Sequence, residues 1–190
     1  MAAHRDPLED RVVDNMLDGY AYVDTLVAAG TDVFALGQLK HLLELNTLVL
    51  CGSNEARRAA HAGHRAATER RFYDEPDAGI QDVVEWHASH EDEPVWFRAA
   101  GVYVRMLSTP QLFVEGNHRT GVLVMSYVLV RAGRSPFVLS PATARAYFEA
   151  STALRNTHKN GVVALFRLPG IRRRLAALLR DHDDGGYLLA

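Results

Sequence analysis

The chain has 190 residues, 48% of them hydrophobic and 23% charged, with a formal net charge of −2. That length supports one domain with a buried core, and the near balance of charge excludes a global field that would draw the chain to DNA or to an anionic membrane. The single cysteine, Cys51, excludes an intrachain disulfide and makes a cytosolic setting the default expectation.

The opening residues MAAHRDPLED carry no apolar signal region. The longest uncharged run, TGVLVMSYVLV from Thr120, falls well short of the ~20 apolar residues that span a bilayer. A soluble cytoplasmic protein is expected. The first helix is DRVVDNMLDGYAYVDTLVAAG, with apolar residues three and four apart, ending at Gly30. Thr31 is placed to cap a second helix that runs through VFALGQLKHLLELNTLVLC to Gly52. Ser53 is placed to cap a third, NEARRAAHAGHRAATERRFY. DEPDAG reads as a turn or loop, and IQDVVEWHASH begins as either a short strand or a helix. PVWFRAAGVYVRMLS is a helix with a wide apolar face, closed by Pro110.

The next helix runs from about Asn117 to Ala132, with Gly133 at its end. Ser140 followed by Pro141 is a strong start signal for the helix in SPATARAYFEA. GIRRRLAALLRDH is a basic amphipathic helix near the C-terminus. There is no repeat or low-complexity tract. The expected fold is all-α: one domain over residues 1–190, its core about residues 9–182, with about eight helices. The ends, residues 1–8 and DDGGYLLA, are expected to fray. A small β-hairpin flap near residues 72–84 is the most sheet the pattern allows.

The stretch QLFVEGNHRTGV (residues 111–122) crowds polar residues into the first turn of an apolar helix. A helix N-terminus presents unpaired N–H groups and a partial positive charge, so it suits phosphate. Gly116 would let backbone approach a ligand without a Cβ in the way. Asn117 is a good cap with an amide to donate. Arg119 is a cation in the first turn, unfavourable on dipole grounds alone, which suggests an anion nearby. Glu115 is placed to hold Mg²⁺, which takes few protein ligands and fills its shell from phosphate and water. The same residues also fit a plain capped core helix.

Phe113-x-Glu115-Gly116-Asn117-x-Arg119 resembles the central motif of the Fic (Fic/Doc) family, H-x-F-x-[D/E]-G-N-[G/K]-R-x-x-R. The resemblance implies a helical Fic-like domain covering most of the chain. It also implies transfer of a nucleotide monophosphate, usually AMP from ATP, to a hydroxyl. Glu115 would hold Mg²⁺, and Gly116, Asn117, His118 and Arg119 would form the phosphate turn. The partners implied are a nucleotide donor and a protein or small-molecule acceptor; neither DNA nor a membrane is expected, and a homo-oligomer is compatible with the sequence.

Three positions depart from the family pattern: Gln111 stands where the family has its histidine, Val122 where it has its second arginine, and His118 where it has Gly or Lys. Glutamine cannot take a proton from an attacking hydroxyl, and losing a general base costs about 10²–10⁴-fold. His118 in the phosphate turn is the replacement candidate for donating to phosphate or acting as an acid; facing solvent at the lip is the alternative. Many Fic proteins carry an inhibitory helix, [S/T]-x-x-x-E-[G/N]. TLVLCG (Thr47–Gly52) has its flanks, with Cys51 in place of the glutamate, and the same residues also make a plain helix end.

His61 and His64, and His87 and His90, are spaced like zinc-ligand pairs but lack a full ligand set, so solvated helix faces are expected. Glu85, Glu91 and Asp92 lie near the second pair. Arg172, Arg173 and Arg174 read as a solvated basic face, and Trp86 and Trp96 as packing residues. Two functions remain open. One is a divergent Fic-like transferase whose acceptor is already ionised or is a free amine. The other is a catalytically inactive module that binds a nucleotide or a partner.

Overall fold

The computed structural model describes residues 10–76 and 79–183. Among them are nine helices: α1 (Asp10–Ala28), α2 (Lys40–Cys51), α3 (Glu55–Ala60), α4 (Ala62–Asp74), α5 (Ile80–Ala88), α6 (Val95–Leu107), α7 (Asn117–Arg131), α8 (Pro141–Arg155) and α9 (Val162–Asp181). The described residues contain no strand; one isolated bridge joins Thr109 to His158. The all-α reading is therefore correct. No helix among the described residues is long and apolar enough to cross a membrane.

The bundle is organised around α7, whose every residue from Thr120 to Leu129 is buried. A helix apolar on all sides must be enclosed on all sides, and α1, α2 and α6 do this. The α6–α7 contact is the most extensive in the molecule. It is tight at Gly121, where an added Cβ would stand 2.8 Å from Leu107 and 2.9 Å from Tyr103. Leu123, Met125 and Leu129 are fully buried along the same helix, each worth about 1.5–3 kcal/mol relative to exposure. Helix α7 thus gives its N-terminal turn a rigid base.

Local signals placed several ends well. Ser140 accepts from the Thr143 N–H, and the Thr143 hydroxyl returns to the Ser140 backbone, a reciprocal capping box with Pro141 at the first position of α8. Gly133 follows α7 with a φ of 70°.

Other expectations need correction. The hairpin near residues 72–84 is absent: α4 continues to Asp74, and α5 begins at Ile80. Ile80 and Val83 point together into the core at helical spacing, so the ambiguous IQDVVEW pattern resolves as a helix; residues 77 and 78 lie outside the described residues. The second helix begins at Lys40, not after Thr31. The Thr31 carbonyl accepts from the Tyr127 hydroxyl at 2.6 Å, and the Val33 N–H donates to the same hydroxyl at 3.3 Å. Asp32 turns back to the Phe34 N–H, and Gly37 has a φ of 82°. These contacts hold the segment in turns.

The third helix breaks at His61 into α3 and α4, and its cap is Asn54 rather than Ser53, whose N–H is taken by Asp18. The last helix starts at Val162 and runs through Pro169, because Ala164, Leu168, Ile171, Leu175 and Leu179 continue one buried stripe. Arg172 is not solvated: it stacks over Trp86 and Phe97, donates to the Phe97 carbonyl and pairs with Glu93. Arg173 and Arg174 are exposed as expected. Trp86 and Trp96 pack, half-buried, against the core.

Candidate phosphate-binding site

The turn before α7 is closed by Asn117. Its Oδ1 accepts from the Phe113 N–H at 2.8 Å, and its Nδ2 donates to the Phe113 carbonyl at 2.8 Å and to Gln111 Oε1 at 3.2 Å. The amide that the sequence offers to a ligand is thus engaged in shaping the loop. Gln111 donates its own Nε2 to the Leu107 carbonyl at 3.2 Å, so its side chain spans the end of α6 and the start of α7. Arg71 of α4 grips the Gln111 carbonyl with two donors, at 2.9 and 2.8 Å. Residues 111–117 form a pinned loop, held from three helices.

Gly116 adopts the left-handed conformation, φ 74° and ψ 6°. Its missing side chain makes room for α2 rather than for a ligand. A Cβ would meet Asn46 Nδ2 at 2.9 Å, Val49 Cγ2 at 3.2 Å and Leu50 Cδ2 at 3.3 Å. Asn46, buried in α2, donates to the Glu115 carbonyl at 2.9 Å and to Thr120 Oγ1 at 3.0 Å. A buried amide amid LLELNTLVL was the visible signal for this contact; Arg71 left no signal in the sequence.

Arg119 finds its partner inside the protein. Its Nη1 donates to the Val49 carbonyl at 2.8 Å. Val49 lies in the last turn of α2, where carbonyls lack helical partners, because the Ser53 N–H that would reach it goes to Asp18. Asn15 Nδ2 donates to the same carbonyl at 3.3 Å. A cation in the first turn of α7 therefore sits at the negative end of α2, which answers the dipole objection without a bound anion. Burial chiefly, and Arg11 next, lower the Arg119 pKa, and Glu115 opposes them.

Two further features of the turn bear on its chemistry. The Glu115 side chain is exposed, and among the described residues its carboxylate forms no hydrogen bond or ion pair. The first α7 N–H to find a helical acceptor is that of Thr120, on the Gly116 carbonyl at 2.9 Å. The N–H groups of Asn117, His118 and Arg119 precede it, at the positive end of the helix.

The half-buried His118 side chain turns toward α6 and α8. Its Nδ1 lies 3.5 Å from the Tyr103 hydroxyl, which itself donates to Tyr147 at 2.7 Å. Burial first, and Arg155 second, push the His118 pKa below its ordinary value. Its ring faces these tyrosines rather than standing free at the lip. Val122, at the position of the family's second arginine, is buried in the core.

The opposite side of α2 borders a cavity of about 200 Å³ against α4, lined in part by Asn46, Leu50, Cys51, His64 and Thr68. Asn46 and Leu50 thus face both this cavity and the Gly116 turn. Thr68 Oγ1 and His64 Nε2 are buried without a hydrogen-bond partner among the described residues. Cys51 is buried on this α4 side, whereas the residues of α2 that meet the turn are Asn46, Val49 and Leu50. Among the described residues no group of three or more His, Cys, Asp or Glu side chains is arranged to hold a metal ion. His87 stacks on Phe34 and His90 on Trp86.

The turn thus places an exposed carboxylate beside a helix N-terminus. No family model matches the chain, and neither a curated protein nor a solved structure matches it.

Proposed function

We propose that the N-terminus of α7 binds the phosphates of a Mg²⁺-held nucleotide, and that the protein is a divergent Fic-like transferase moving an AMP-like group to an acceptor. The observation that carries this reading is the exposed Glu115 carboxylate beside the N–H groups of Asn117, His118 and Arg119, which among the described residues precede the first helical hydrogen bond of α7. A lone carboxylate fits Mg²⁺, which commonly binds one or two protein carboxylates and completes its shell with phosphate and water. Bound there, Mg²⁺ would neutralise charge on the phosphate chain. The protein's own part is to orient that chain with fixed N–H donors.

Gln111 takes no proton in this scheme. Its amide is tied to Leu107 and Asn117, so it acts as a structural strut. An acceptor that is already an anion or a free amine needs no base. A hydroxyl acceptor would find no base in Gln111, and the His118 ring is turned toward Tyr103 rather than to the lip.

A second reading is favoured by the engagement of Asn117 and Arg119 in the fold itself: a nucleotide- or partner-binding module without turnover. Incubation with each labelled nucleoside triphosphate, Mg²⁺ and cell lysate separates the two. Label transfer that is lost in Glu115→Ala is the expected result for the transferase. Saturable nucleotide binding by calorimetry with no transfer assigns the module. Absence of binding by every nucleotide removes the transferase and the nucleotide-binding module.

A further inference from the structure

A second cavity, of about 260 Å³, lies between α5, α6 and α9, and no residue of 111–119 lines it. Its lining divides by chemistry. Arg105, Lys159 and Arg172 bring positive charge; Leu165, Leu168 and Pro169 make an apolar wall. Among the described residues no carboxylate lines it. Asp82 reaches both Lys159 Nζ and Arg105 Nη1 at 3.3 Å, and Glu93 pairs with Arg172. Three cations thus share two carboxylates.

Lys159 is the unusual member. Its side chain is 1% exposed, and lysines are almost never so buried unless paired. Its ammonium has three donors. Its contacts are Asp82 Oδ2 at 3.3 Å and the Arg105 carbonyl at 3.5 Å, both longer than the about 2.7–2.9 Å usual for charge-assisted bonds. Burial is the main cause holding its pKa below the ordinary lysine range, with Asp82 opposing. An anion in the cavity would complete this arrangement.

The apolar wall does not stop at the cavity. Val162, Leu165, Phe166 and Pro169 follow helical spacing along one face of α9. Val162, Leu165 and Phe166 are 75%, 73% and 81% exposed, while Leu165 and Pro169 line the cavity. An apolar strip therefore leads from solvent to the cationic group. Soluble chains rarely leave such residues adjacent and open without a use.

We infer that this cavity binds an amphiphilic anion, a carboxylate head against Lys159, Arg105 and Arg172 with an unbranched apolar tail along Leu165 and the outer face of α9. Charge selects the head, and the α9 strip selects the tail. The site is separate from the α7 turn.

The probe is sodium decanoate below its micelle concentration, titrated calorimetrically into the full chain. Acetate supplies the head without the tail, and decanol the tail without the charge. Decanoate is expected to bind saturably, at least about tenfold more tightly than either control. Lys159→Met should weaken it by a similar factor. Because Lys159 is buried and its replacement can disturb the fold, Leu165→Asp is the second variant; that residue is largely exposed, and a carboxylate there both shortens the strip and repels the head. Loss of decanoate binding in Leu165→Asp, with an unchanged circular dichroism spectrum, supports the site. Decanol binding as tightly as decanoate, full binding in the Leu165→Asp variant, or no saturable binding of decanoate overturns it.

Discussion

Replacing Gly116 by alanine separates two roles for that residue, seating α2 and admitting a ligand. The backbone at Gly116 has φ 74°, a region that costs a residue with a Cβ about 1–2 kcal/mol. The new Cβ would stand 2.9 Å from Asn46 Nδ2, so Asn46 must move. Its bonds to the Glu115 carbonyl and Thr120 Oγ1 then weaken, at about 0.5–1.5 kcal/mol each. Together these give a loss of about 2–5 kcal/mol, measured as a shift in the urea midpoint at constant slope. The steric part should disappear when Asn46 is shortened. In the Asn46→Ala background, Gly116→Ala should therefore cost less than in the wild type, a coupling detectable at about 0.5 kcal/mol or more. A Gly116→Ala loss below about 1 kcal/mol, or strictly additive single effects, would refute the close α2 contact as the reason for glycine. A variant that stays stable but loses pyrophosphate binding would instead return the residue to the ligand.

Arg119→Ala should weaken Mg²⁺-pyrophosphate binding by roughly 1.5–3 kcal/mol if the guanidinium also reaches phosphate. It should lower stability as well, because the Val49 carbonyl loses its charged donor; calorimetry and urea titration read the two separately. Gln111→His alone should not give strong AMP transfer to a hydroxyl, since Val122 remains buried where a second cation would be needed, and misplacement of a substrate costs about 10²-fold by itself. Robust labelling by that single variant would contradict this. Stability should fall with acidity below pH 6.5. Burial is the leading cause lowering the His118 and His87 pKa values from their ordinary 6.5, so below that value the unfolded chain binds protons that the folded chain does not, and the loss grows until the folded values are reached. Urea midpoints between pH 5 and 7 should show this slope, and the double variant His87→Gln, His118→Gln should flatten it.

Legibility in the sequence followed the range of the interactions. The start of α8 was readable because Ser140, Pro141 and Thr143 act within one turn of chain. The course of α7 was readable because its apolar run admits only burial on every side. The crowding of Glu115, Gly116, Asn117 and Arg119 at its head was equally plain. Their partners were not. Arg119 donates to a carbonyl of α2, seventy residues earlier in the chain, and the space beside Gly116 is filled by Asn46, Val49 and Leu50.

The same limit explains the misplaced boundaries. Residues 31–39 have a helical pattern, but Tyr127 of α7 supplies both a donor to the Thr31 carbonyl and an acceptor to the Val33 N–H. Those hydrogen bonds compete with helix formation there, and they exist only once α7 is in place. Arg172 reads as surface charge until α5 and α6 bring Trp86, Glu93 and Phe97 against it. Residue type and spacing determined which segments coil and which turn gathers the polar side chains. Tertiary structure decided which polar groups in that turn are already satisfied, because a donor is free or engaged according to neighbours that sequence distance conceals.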